Sequence, residues 1–333
     1  MINYKDSGVD IDKGNRFVEN IKKLSKDLPK EGFISTIGGF SSLFSLKQFG
    51  CDSVIASTTD GVGTKLKIAF ATNKHDSVGI DLVAMNVNDI ITTGIMPTFF
   101  LDYIAYSHVE DKVLEDIFKG ITEGLKQANC AIAGGETAQM PSMYNEGEYD
   151  LAGFCVGIGK KEDLFKGNVK EGDCLIGIAS SGFHSNGYSL IRKAFFEIAK
   201  YKLDTIVNNK TLGEILLTPT LIYVSTVKLI KQYIKAAAHI TGGGFIENIP
   251  RCLEGFGCEI DTKTIKTQEE FLLVADIAKL SKEEMYRTFN MGVGFVVVVD
   301  EHNKDIVLET LQYNKIISYP IGYVVKEGGV CLK

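Results

Sequence analysis

The stretch Thr59-Asp60-Gly61-Val62-Gly63-Thr64-Lys65 joins an apolar, β-branched segment over residues 51–59 to a glycine turn. β-Branched residues favour strands, and glycine lets the backbone turn sharply or approach a ligand closely. A strand that ends in a polar, glycine-containing loop recurs at residues 130–137 and 174–187. Strands and helices therefore alternate in both halves of the chain. This pattern predicts sheets covered by helices, an α+β or α/β fold.

The length of the chain predicts two domains. At 333 residues the chain exceeds the usual size of a single domain. A strand predicted over residues 151–158 is followed by a polar stretch at residues 159–163, and we place the boundary within residues 167–171. We therefore expect an N-terminal domain of residues 1–168 and a C-terminal domain of residues 169–333.

Charge and hydropathy argue against two classes of partner. The formal net charge is −6, whereas binding to duplex nucleic acid usually needs a basic face. The longest apolar run, residues 295–299, is far shorter than the roughly 20 residues that span a bilayer. Residues 1–6 do not resemble a secretion signal, and none of the seven cysteines stands in C-x-x-C spacing. We expect a cytoplasmic protein with no nucleic-acid or membrane partner, and buried free thiols rather than a zinc site.

Glycine is concentrated in five short clusters, at residues 38–39, 61–63, 134–135, 242–244 and 292–294. Successive backbone N–H groups in such loops can bind an anion, so several clusters beside charged residues indicate a phosphate-rich ligand. Ordinary tight turns are the alternative for any single cluster. The sequence has no P-loop pattern, no G-x-G-x-x-G pattern that opens a helix and no G-x-S-x-G elbow. A P-loop ATPase, a Rossmann dehydrogenase and a nucleophilic hydrolase are therefore disfavoured.

Carboxylates accompany these loops and predict a divalent cation. Asp60 precedes a glycine turn, Asp89 lies on a helix predicted over residues 79–93, and Glu136 follows two glycines. An acidic protein that binds polyphosphate must screen the repulsion between phosphate and carboxylate, and Mg²⁺ on a few carboxylates is the usual means. Asp81 lies on the same helix face as Asp89, so this face could also hold a cation.

Two of the five histidines, His184 and His239, stand beside glycine loops at the ends of predicted strands. Either could contact phosphate or move a proton, because imidazole titrates near neutral pH. A structural role is the alternative for any single histidine. For Asp76 and Asp102 we favour solvated side chains that cap turns.

A resemblance to a known family rests on seven stretches that follow one another along nearly the whole chain. They are residues 4–15, 59–65, 79–89, 134–141, 181–190, 239–251 and 286–294. The fourth, for example, reads Gly134-Gly135-Glu136-Thr137-Ala138-Gln139-Met140-Pro141. Together these stretches resemble the phosphoribosylformylglycinamidine cyclo-ligase family, the aminoimidazole ribonucleotide synthetases.

The resemblance implies ATP-dependent closure of formylglycinamidine ribonucleotide to 5-aminoimidazole ribonucleotide, with release of ADP and phosphate, in de novo purine (IMP) biosynthesis. Phosphorylation of the formyl oxygen would create a leaving group, and the substrate's own amine would then attack that carbon. Positioning and charge neutralisation can supply much of such catalysis. The resemblance also implies ATP with Mg²⁺, K⁺ as a further candidate ion, and a homodimer in which the N-terminal mixed sheets of two chains join into a barrel.

Carried over by position, the resemblance also assigns roles to individual residues. The candidate catalytic residues are Asp60, Lys65, His184 and His239, and the candidate metal ligands are Asp60 and Asp89. The candidate nucleotide-binding residues are Lys22, Gly61, Gly63, Thr64, Asp89, Gly135, Glu136 and Thr137. The candidate substrate-binding residues are Ser185, Asn186, Thr241, Gly242 and Gly243. The N-terminal domain would bind ATP and dimerise, and the C-terminal domain would face the phosphorylated substrate.

Two other functions stay open at this point. One is another ATP-dependent phosphotransferase of the same architecture, of the thiamine-monophosphate kinase or selenophosphate synthetase type. A selenophosphate synthetase would need a reactive cysteine near the N-terminus, whereas the first cysteine here is Cys51. The other is a silent ATP-binding subunit, against which the acidic residues and both loop histidines argue.

Overall fold

The computed structural model describes Ile34, residues 42–49 and residues 51–333. Apolar residues at 17, 21, 24 and 28 predict a helix over residues 12–29, and this segment lies outside the described residues. The glycine cluster at residues 38–39 and the candidate Lys22 also lie outside them. Within them, the chain forms two large sheets, each packed against helices, and a short hairpin. The predicted fold class is confirmed.

The first sheet is mixed, as expected. Its strands are β1 (Ser42–Ser45), β2 (Ser53–Gly61), β3 (Pro97–Tyr106), β4 (Ala131–Gln139) and β5 (Tyr149–Lys160). They lie in the order β1-β2-β5-β3-β4, with β3 and β4 parallel and all other neighbours antiparallel. Within the described part of one chain the sheet is open, because no strand pairs with the outer edge of β4.

Helices cover one face of this sheet. They are α1 (Leu66–Thr72), α2 (Asp76–Ile91) and α3 (Asp111–Ala128). α2 packs directly on β2 and β5, and α3 packs on α2, so most side chains of α2 are buried. A Cβ added to Gly120 would lie 1.8 Å from the carbonyl oxygen of Asp76, which explains the glycine at this helix crossing. The opposite face of the sheet leaves Phe154 and Ile158 of β5 exposed.

The second sheet belongs to the C-terminal half. Its strands are β6 (Cys174–Ala179), β9 (Ile234–His239), β10 (Gly257–Ile260), β11 (Val293–Val299), β12 (Ser318–Val325) and β13 (Gly329–Leu332); β7 (Ile206–Val207) and β8 (Lys210–Thr211) form the hairpin. The order is β13-β10-β12-β6-β11-β9, antiparallel except for the pair β10 and β13. Every residue of β11 is buried, as its run of valines predicts.

The remaining helices surround this sheet. They are α4 (Tyr188–Arg192), continued by a π-helical stretch (Lys193–Ile198), α5 (Leu212–Leu216), α6 (Val224–Ile230), α7 (Gly244–Asn248), α8 (Glu269–Ala278), α9 (Lys282–Thr288) and α10 (Lys304–Tyr313). Short 3₁₀ turns lie at Lys47–Phe49, Gly63–Lys65, Lys161–Asp163, Lys231–Tyr233, Ile249–Cys252 and Glu301–Asn303. Ser281 and Glu284 have the spacing of a helix cap in the sequence, and the hydroxyl of Ser281 accepts from the backbone N–H of Glu284 at 3.2 Å at the start of α9.

The structure departs from the sequence predictions in three places. β4 continues through Gly134 to Gln139, where the sequence predicted a loop, because its parallel neighbour β3 supplies backbone partners along this length. Pro219 after Thr218 is typical of the first turn of a helix and predicts a helix start at Thr218, whereas the helix begins at Val224. Asp102 is not a solvated cap: it lies in β3 with 7% of its surface exposed, and burial raises its pKa.

None of the described helices combines the length and the apolar character that a membrane-spanning helix needs.

Candidate active site

Asp60 and Asp89 form a pair of carboxylates at the end of the first sheet. Asp60 is the next-to-last residue of β2, and Asp89 lies in the last turn of α2. Burial, and next the negative charge of Asp89, raise the pKa of Asp60 to about 6. Burial also raises the pKa of Asp89, against the opposing hydrogen bond and charge of His239. A cation beside these carboxylates would favour their ionised forms and so offset the cost of burying them.

His239, the last residue of β9, contacts this pair from the second sheet. Its Nδ1 lies 2.7 Å from Oδ1 of Asp89, and its side chain is fully buried. Its Nε2 lies 3.5 Å from Nδ2 of Asn88, and that amide donates to the carbonyl oxygen of Leu221 at 2.8 Å. The backbone N–H of Tyr223 donates to Oδ1 of Asn88 at 2.9 Å. His239 is therefore placed to hold the Asp89 carboxylate in one orientation.

His184 is buried, with 1% of its surface exposed, and its backbone is left-handed with φ +59°. Its Nε2 accepts from the backbone N–H of Ser181 at 3.3 Å. Burial, followed by the positive charges of His239 and Lys65, lowers its pKa well below the usual range. Its imidazole is therefore neutral at pH 7 and offers no positive charge to a phosphate. Among the described residues, its Nδ1 has no hydrogen-bond partner.

Lys65 and Asp81 are paired with each other. Nζ of Lys65 lies 2.8 Å from Oδ2 of Asp81, and both side chains are fully buried. The same ammonium donates to the carbonyl oxygens of His184 at 3.0 Å and Thr218 at 2.7 Å. The cation that Asp81 binds is thus an ammonium group. Since an ammonium has three donors, a contact between Lys65 and a phosphate would require one of these bonds to break.

The two predicted substrate loops lie side by side. A Cβ added to Gly242 would lie 3.7 Å from Oδ1 of Asn186. The loop at residues 241–244 is held by Asn248 of α7, whose Nδ2 donates to the carbonyl oxygens of Thr241 at 3.3 Å, Gly242 at 3.2 Å and Gly244 at 2.7 Å. The structure therefore brings together candidates that are more than 50 residues apart in the sequence.

A left-handed glycine, a contact between two hydroxyls and an unpaired amide also characterise these loops. Gly243 has φ +92°, a left-handed conformation that favours glycine. The hydroxyl of Ser185 lies 3.1 Å from that of Thr220. Nδ2 of Asn186 is buried and has no acceptor among the described residues. An unpaired buried donor is costly, so a ligand oxygen at this position would be stabilised.

The glycine turn after β2 faces the second domain. Gly63 and Thr64 are exposed, and a Cβ on Gly63 would meet nothing within 4 Å. The hydroxyl of Thr64 lies 3.2 Å from that of Ser189 in α4. Gly61 is more confined, since a Cβ there would lie 2.8 Å from the carbonyl oxygen of Leu151.

The remaining nucleotide candidates, Gly135, Glu136 and Thr137, lie on β4, away from this group. The register aligns Asp60, Gly153, Asp102 and Gly135 in one row across β2, β5, β3 and β4. Three strand spacings separate the ends of this row, about 14 Å. Glu136 and Thr137 are exposed on the outer strand. Within one chain the structure therefore divides the predicted nucleotide residues between two places.

Sequence reasoning missed several residues of this region. Asn88 and Asn248 contact His239 and the loop at residues 241–244, and the positive charge of Arg251 partly opposes the rise that burial causes in the pKa of Asp89. The sequence does place Asn88 with Asp81 and Asp89 on one helix face, as part of a possible cation site, but it gives no sign of the contact between Asn88 and His239. Within the described ranges, no group of three or more His, Cys, Asp or Glu residues is arranged to hold a metal ion.

Comparison with known proteins defines the class to which this fold and site belong. Residues 44–159 match the N-terminal domain of AIR synthase related protein, and residues 170–332 match its C-terminal domain. The chain belongs to the AIR synthase related family.

Relatives give a narrower description. A protein of Thermoanaerobacter pseudethanolicus, named phosphoribosylformylglycinamidine cyclo-ligase, is 52% identical over 99% of this chain and 100% of its own length. A protein of Clostridium acetobutylicum with the same name is 46% identical over 100% of both chains. The resemblance stated from the sequence is thereby confirmed.

Solved structures support the fold. Thiamine monophosphate kinase from Aquifex aeolicus has a TM-score of 0.66 at 16% identity, over 95% of this chain and 94% of its own. PurL of T. maritima in complex with ADP has a TM-score of 0.60 at 13% identity, over 94% of this chain and 45% of its own. At these identities the likeness concerns the fold alone.

Proposed function

We propose that this protein is an enzyme that closes formylglycinamidine ribonucleotide to 5-aminoimidazole ribonucleotide at the expense of ATP, in de novo purine biosynthesis. The observation that carries the proposal is 46–52% identity, over essentially the full length, to proteins named for this reaction. The adjacent loops at residues 185–186 and 241–243 support it, and so does the contact of His239, just before the second loop, with the carboxylate of Asp89.

The reaction needs one phosphoryl transfer and one ring closure. The formyl oxygen attacks the γ-phosphorus of ATP and ADP leaves; the substrate amine then attacks the formyl carbon, and the activated oxygen leaves as phosphate. Because both reacting groups belong to one molecule, the protein must chiefly hold them in place and balance charge. Asn186 supplies a buried N–H donor for a substrate oxygen, and the exposed turn at Gly63 and Thr64 leaves room for phosphates.

The carboxylates fit Mg²⁺. Mg²⁺ prefers hard oxygen ligands and is usually bound by one or two carboxylates together with substrate phosphates. Asp60 and Asp89 offer such a pair, and a bound cation would favour the ionised forms that burial disfavours. Bound there, Mg²⁺ would neutralise phosphate charge. His239 would keep Asp89 oriented towards it.

We further propose a domain of residues 1–168 for ATP binding and dimerisation and a domain of residues 169–333 for the substrate side, in a cytoplasmic enzyme. K⁺ is the further candidate ion, and replacement of KCl by NaCl in the assay tests it. Lys22, which lies outside the described residues, is still proposed to contact ATP. Glu136 and Thr137 keep their proposed nucleotide role and would act at an interface between two chains.

The proposal of a homodimer is based on the exposed face and the unpaired edge of the first sheet. Phe154 and Ile158 are 44% and 46% exposed on one face, and the edge of β4 is unpaired among the described residues. A second copy would cover both and could close the sheet into a barrel. We expect Phe154→Asp to weaken dimerisation by about 2 kcal/mol or more, because association would bury a charge.

Light scattering at micromolar concentration measures this effect. Phe118→Asp is the matched control, because Phe118 is 45% exposed on α3, away from the open face. It should leave the mass unchanged. A wild-type monomer, or a Phe154→Asp variant that associates as tightly as the wild type, would contradict the proposed dimer.

Turnover of defined substrates tests the proposed reaction. With ATP, Mg²⁺ and formylglycinamidine ribonucleotide, we expect ADP, phosphate and aminoimidazole ribonucleotide in equal amounts, and no ADP when the ribonucleotide is omitted. Thiamine monophosphate and selenide serve as alternative acceptors. Equal turnover with either would point to another phosphotransferase, and no turnover with any substrate would point to a silent subunit.

A further inference from the structure

We propose that the buried Lys65–Asp81 pair is a positioning device that clamps two loops of the second domain, residues 180–187 and 217–220, onto the first domain and so sets the geometry of the substrate side of the site. The proposal rests on the proposed function for its kinetic consequence. Its structural consequence is independent of the reaction.

The Lys65 ammonium joins the two domains. Lys65 lies in the 3₁₀ turn that follows β2, and Asp81 lies in α2, so both belong to the first domain. The carbonyl oxygens that accept from Lys65, those of His184 and Thr218, belong to the two clamped loops. The ammonium also lies 5.6 Å from the ring centroid of Tyr188, at the start of α4. Among the described residues, the partners of this cation other than Asp81 are thus in the second domain.

The Asp81 carboxylate extends the connection to a predicted substrate residue. Its Oδ1 accepts from the backbone N–H and from the hydroxyl of Thr220, each at 2.7 Å. The Thr220 hydroxyl in turn lies 3.1 Å from that of Ser185. A continuous chain of polar contacts therefore runs from Lys65 through Asp81 and Thr220 to Ser185.

The geometry of His184 shows why the loop needs to be held. A left-handed backbone is unfavourable for a residue other than glycine and persists only where surrounding contacts impose it. Lys65 binds the carbonyl of this residue, and Nε2 of its ring accepts from Ser181. Ser185 and Asn186 follow directly, so their placement depends on the conformation that Lys65 stabilises.

Stability alone does not account for the pair. A buried ion pair is often no more stabilising than apolar side chains of similar volume, but it fixes a particular arrangement when each partner also makes directed hydrogen bonds. Here the four contacts to His184, Thr218 and Thr220 are directed in this way. A second buried pair, Lys235 with Asp173, lies within the C-terminal half and provides a comparison.

The test compares Asp81→Asn with Asp173→Asn, each of which removes the charge of a fully buried carboxylate that pairs with a lysine. For Asp81→Asn we expect the KM for the ribonucleotide to rise about 10-fold or more, with the KM for ATP within about 2-fold of wild type. Amide hydrogen exchange should accelerate at residues 180–187 and 217–220. Asp173→Asn should leave both KM values and exchange in these loops unchanged, although it destabilises the fold.

Thr220→Val keeps the test decisive if Asp81→Asn does not fold, because it removes only the hydroxyl between Asp81 and Ser185. Thr220→Val should raise the KM for the ribonucleotide and accelerate amide exchange at residues 180–187 and 217–220, each by a smaller factor than Asp81→Asn. A folded Asp81→Asn or Thr220→Val protein with wild-type KM values and wild-type exchange would overturn the clamp. If the wild-type protein lacks cyclisation activity, the proposed function fails, whereas the exchange comparison still tests the clamp.

Discussion

Replacement of Asp60 by Asn is expected to reduce kcat by about 10²- to 10³-fold, the usual range when a preorganised electrostatic contact to a transferring group is lost. Asn keeps the shape of the side chain but removes the charge that would bind Mg²⁺. The ribonucleotide loops, which Asp60 does not support, should keep their affinity for substrate. Steady-state kinetics with ATP and ribonucleotide varied in turn measures the effect.

The same substitution should stabilise the ligand-free protein at pH 8, by about 1–3 kcal/mol. Burial raises the pKa of Asp60 from 3.8 to about 6, so the folded state holds the proton more tightly than the unfolded state. Asp60 therefore costs no stability below about pH 4, and the cost develops as the pH rises to about 6 and is complete at pH 8. The substitution removes this cost.

Urea unfolding at pH 4.5 and pH 8 measures the predicted gain in stability. The difference in free energy of unfolding between Asp60→Asn and the wild type should be smaller at pH 4.5 than at pH 8. Asp276→Asn, on the exposed surface of α8, is the control and should change neither kinetics nor stability appreciably. Wild-type kcat/KM should fall as the pH drops below about 6, because protonated Asp60 cannot bind the cation. Unchanged turnover in Asp60→Asn would remove this residue from the site.

Replacement of His239 by Ala is expected to weaken the apparent affinity for Mg²⁺ and to lower kcat/KM by about 10- to 100-fold, as for other residues that orient a metal ligand. The Asp89 carboxylate would lose its 2.7 Å contact to Nδ1 of His239. The pKa of Asp89, already raised by burial, would rise further, because the hydrogen bond that opposes the shift would be gone.

Titration of activity with Mg²⁺ checks this result. If His239 acts through Asp89, a higher Mg²⁺ concentration should restore much of the lost activity. His302→Ala, at an exposed position in the turn before α10, should behave as the wild type. A variant of His239 with reduced turnover but wild-type Mg²⁺ dependence would show that the histidine acts on the reaction by another route.

Local patterns predicted the individual elements better than their long-range partners. The sequence predicts a helix that follows Asp111 and strands over residues 174–179 and 294–300, and the structure has them as α3, β6 and β11, because their apolar patterns are local. By contrast, the sequence offers no sign that Lys65 pairs with Asp81, 16 residues away, or that the pair binds Thr218 and Thr220, more than 130 residues further along. The resemblance makes Lys65 a candidate catalytic residue, and the sequence around it does not indicate its buried partners.

Missing information about long-range partners also explains why the sequence predicted a loop where β4 continues. Glycine at residues 134 and 135 lowers strand propensity, but the parallel pairing with β3, more than 30 residues earlier, decides the outcome. Asp102 was misjudged for the same reason: an isolated aspartate is usually solvated, and only the sheet register places it in the row that joins Asp60 to Gly135. Gly135 is required there, since a Cβ would lie 2.4 Å from Oδ1 of Asp102.

The composition of β4 also affects the tendency of newly synthesised chains to aggregate. Alanine and glycine fill five of its nine positions, and the pairing with β3 is irregular between Phe100 and Leu101. Such residues are poor strand formers, and a bulge distorts an edge, so this strand is a weak template for indiscriminate strand addition and amyloid growth. Substitutions to valine or isoleucine along β4 would raise the strand propensity and the apolar character of that edge, and would therefore favour aggregation over folding.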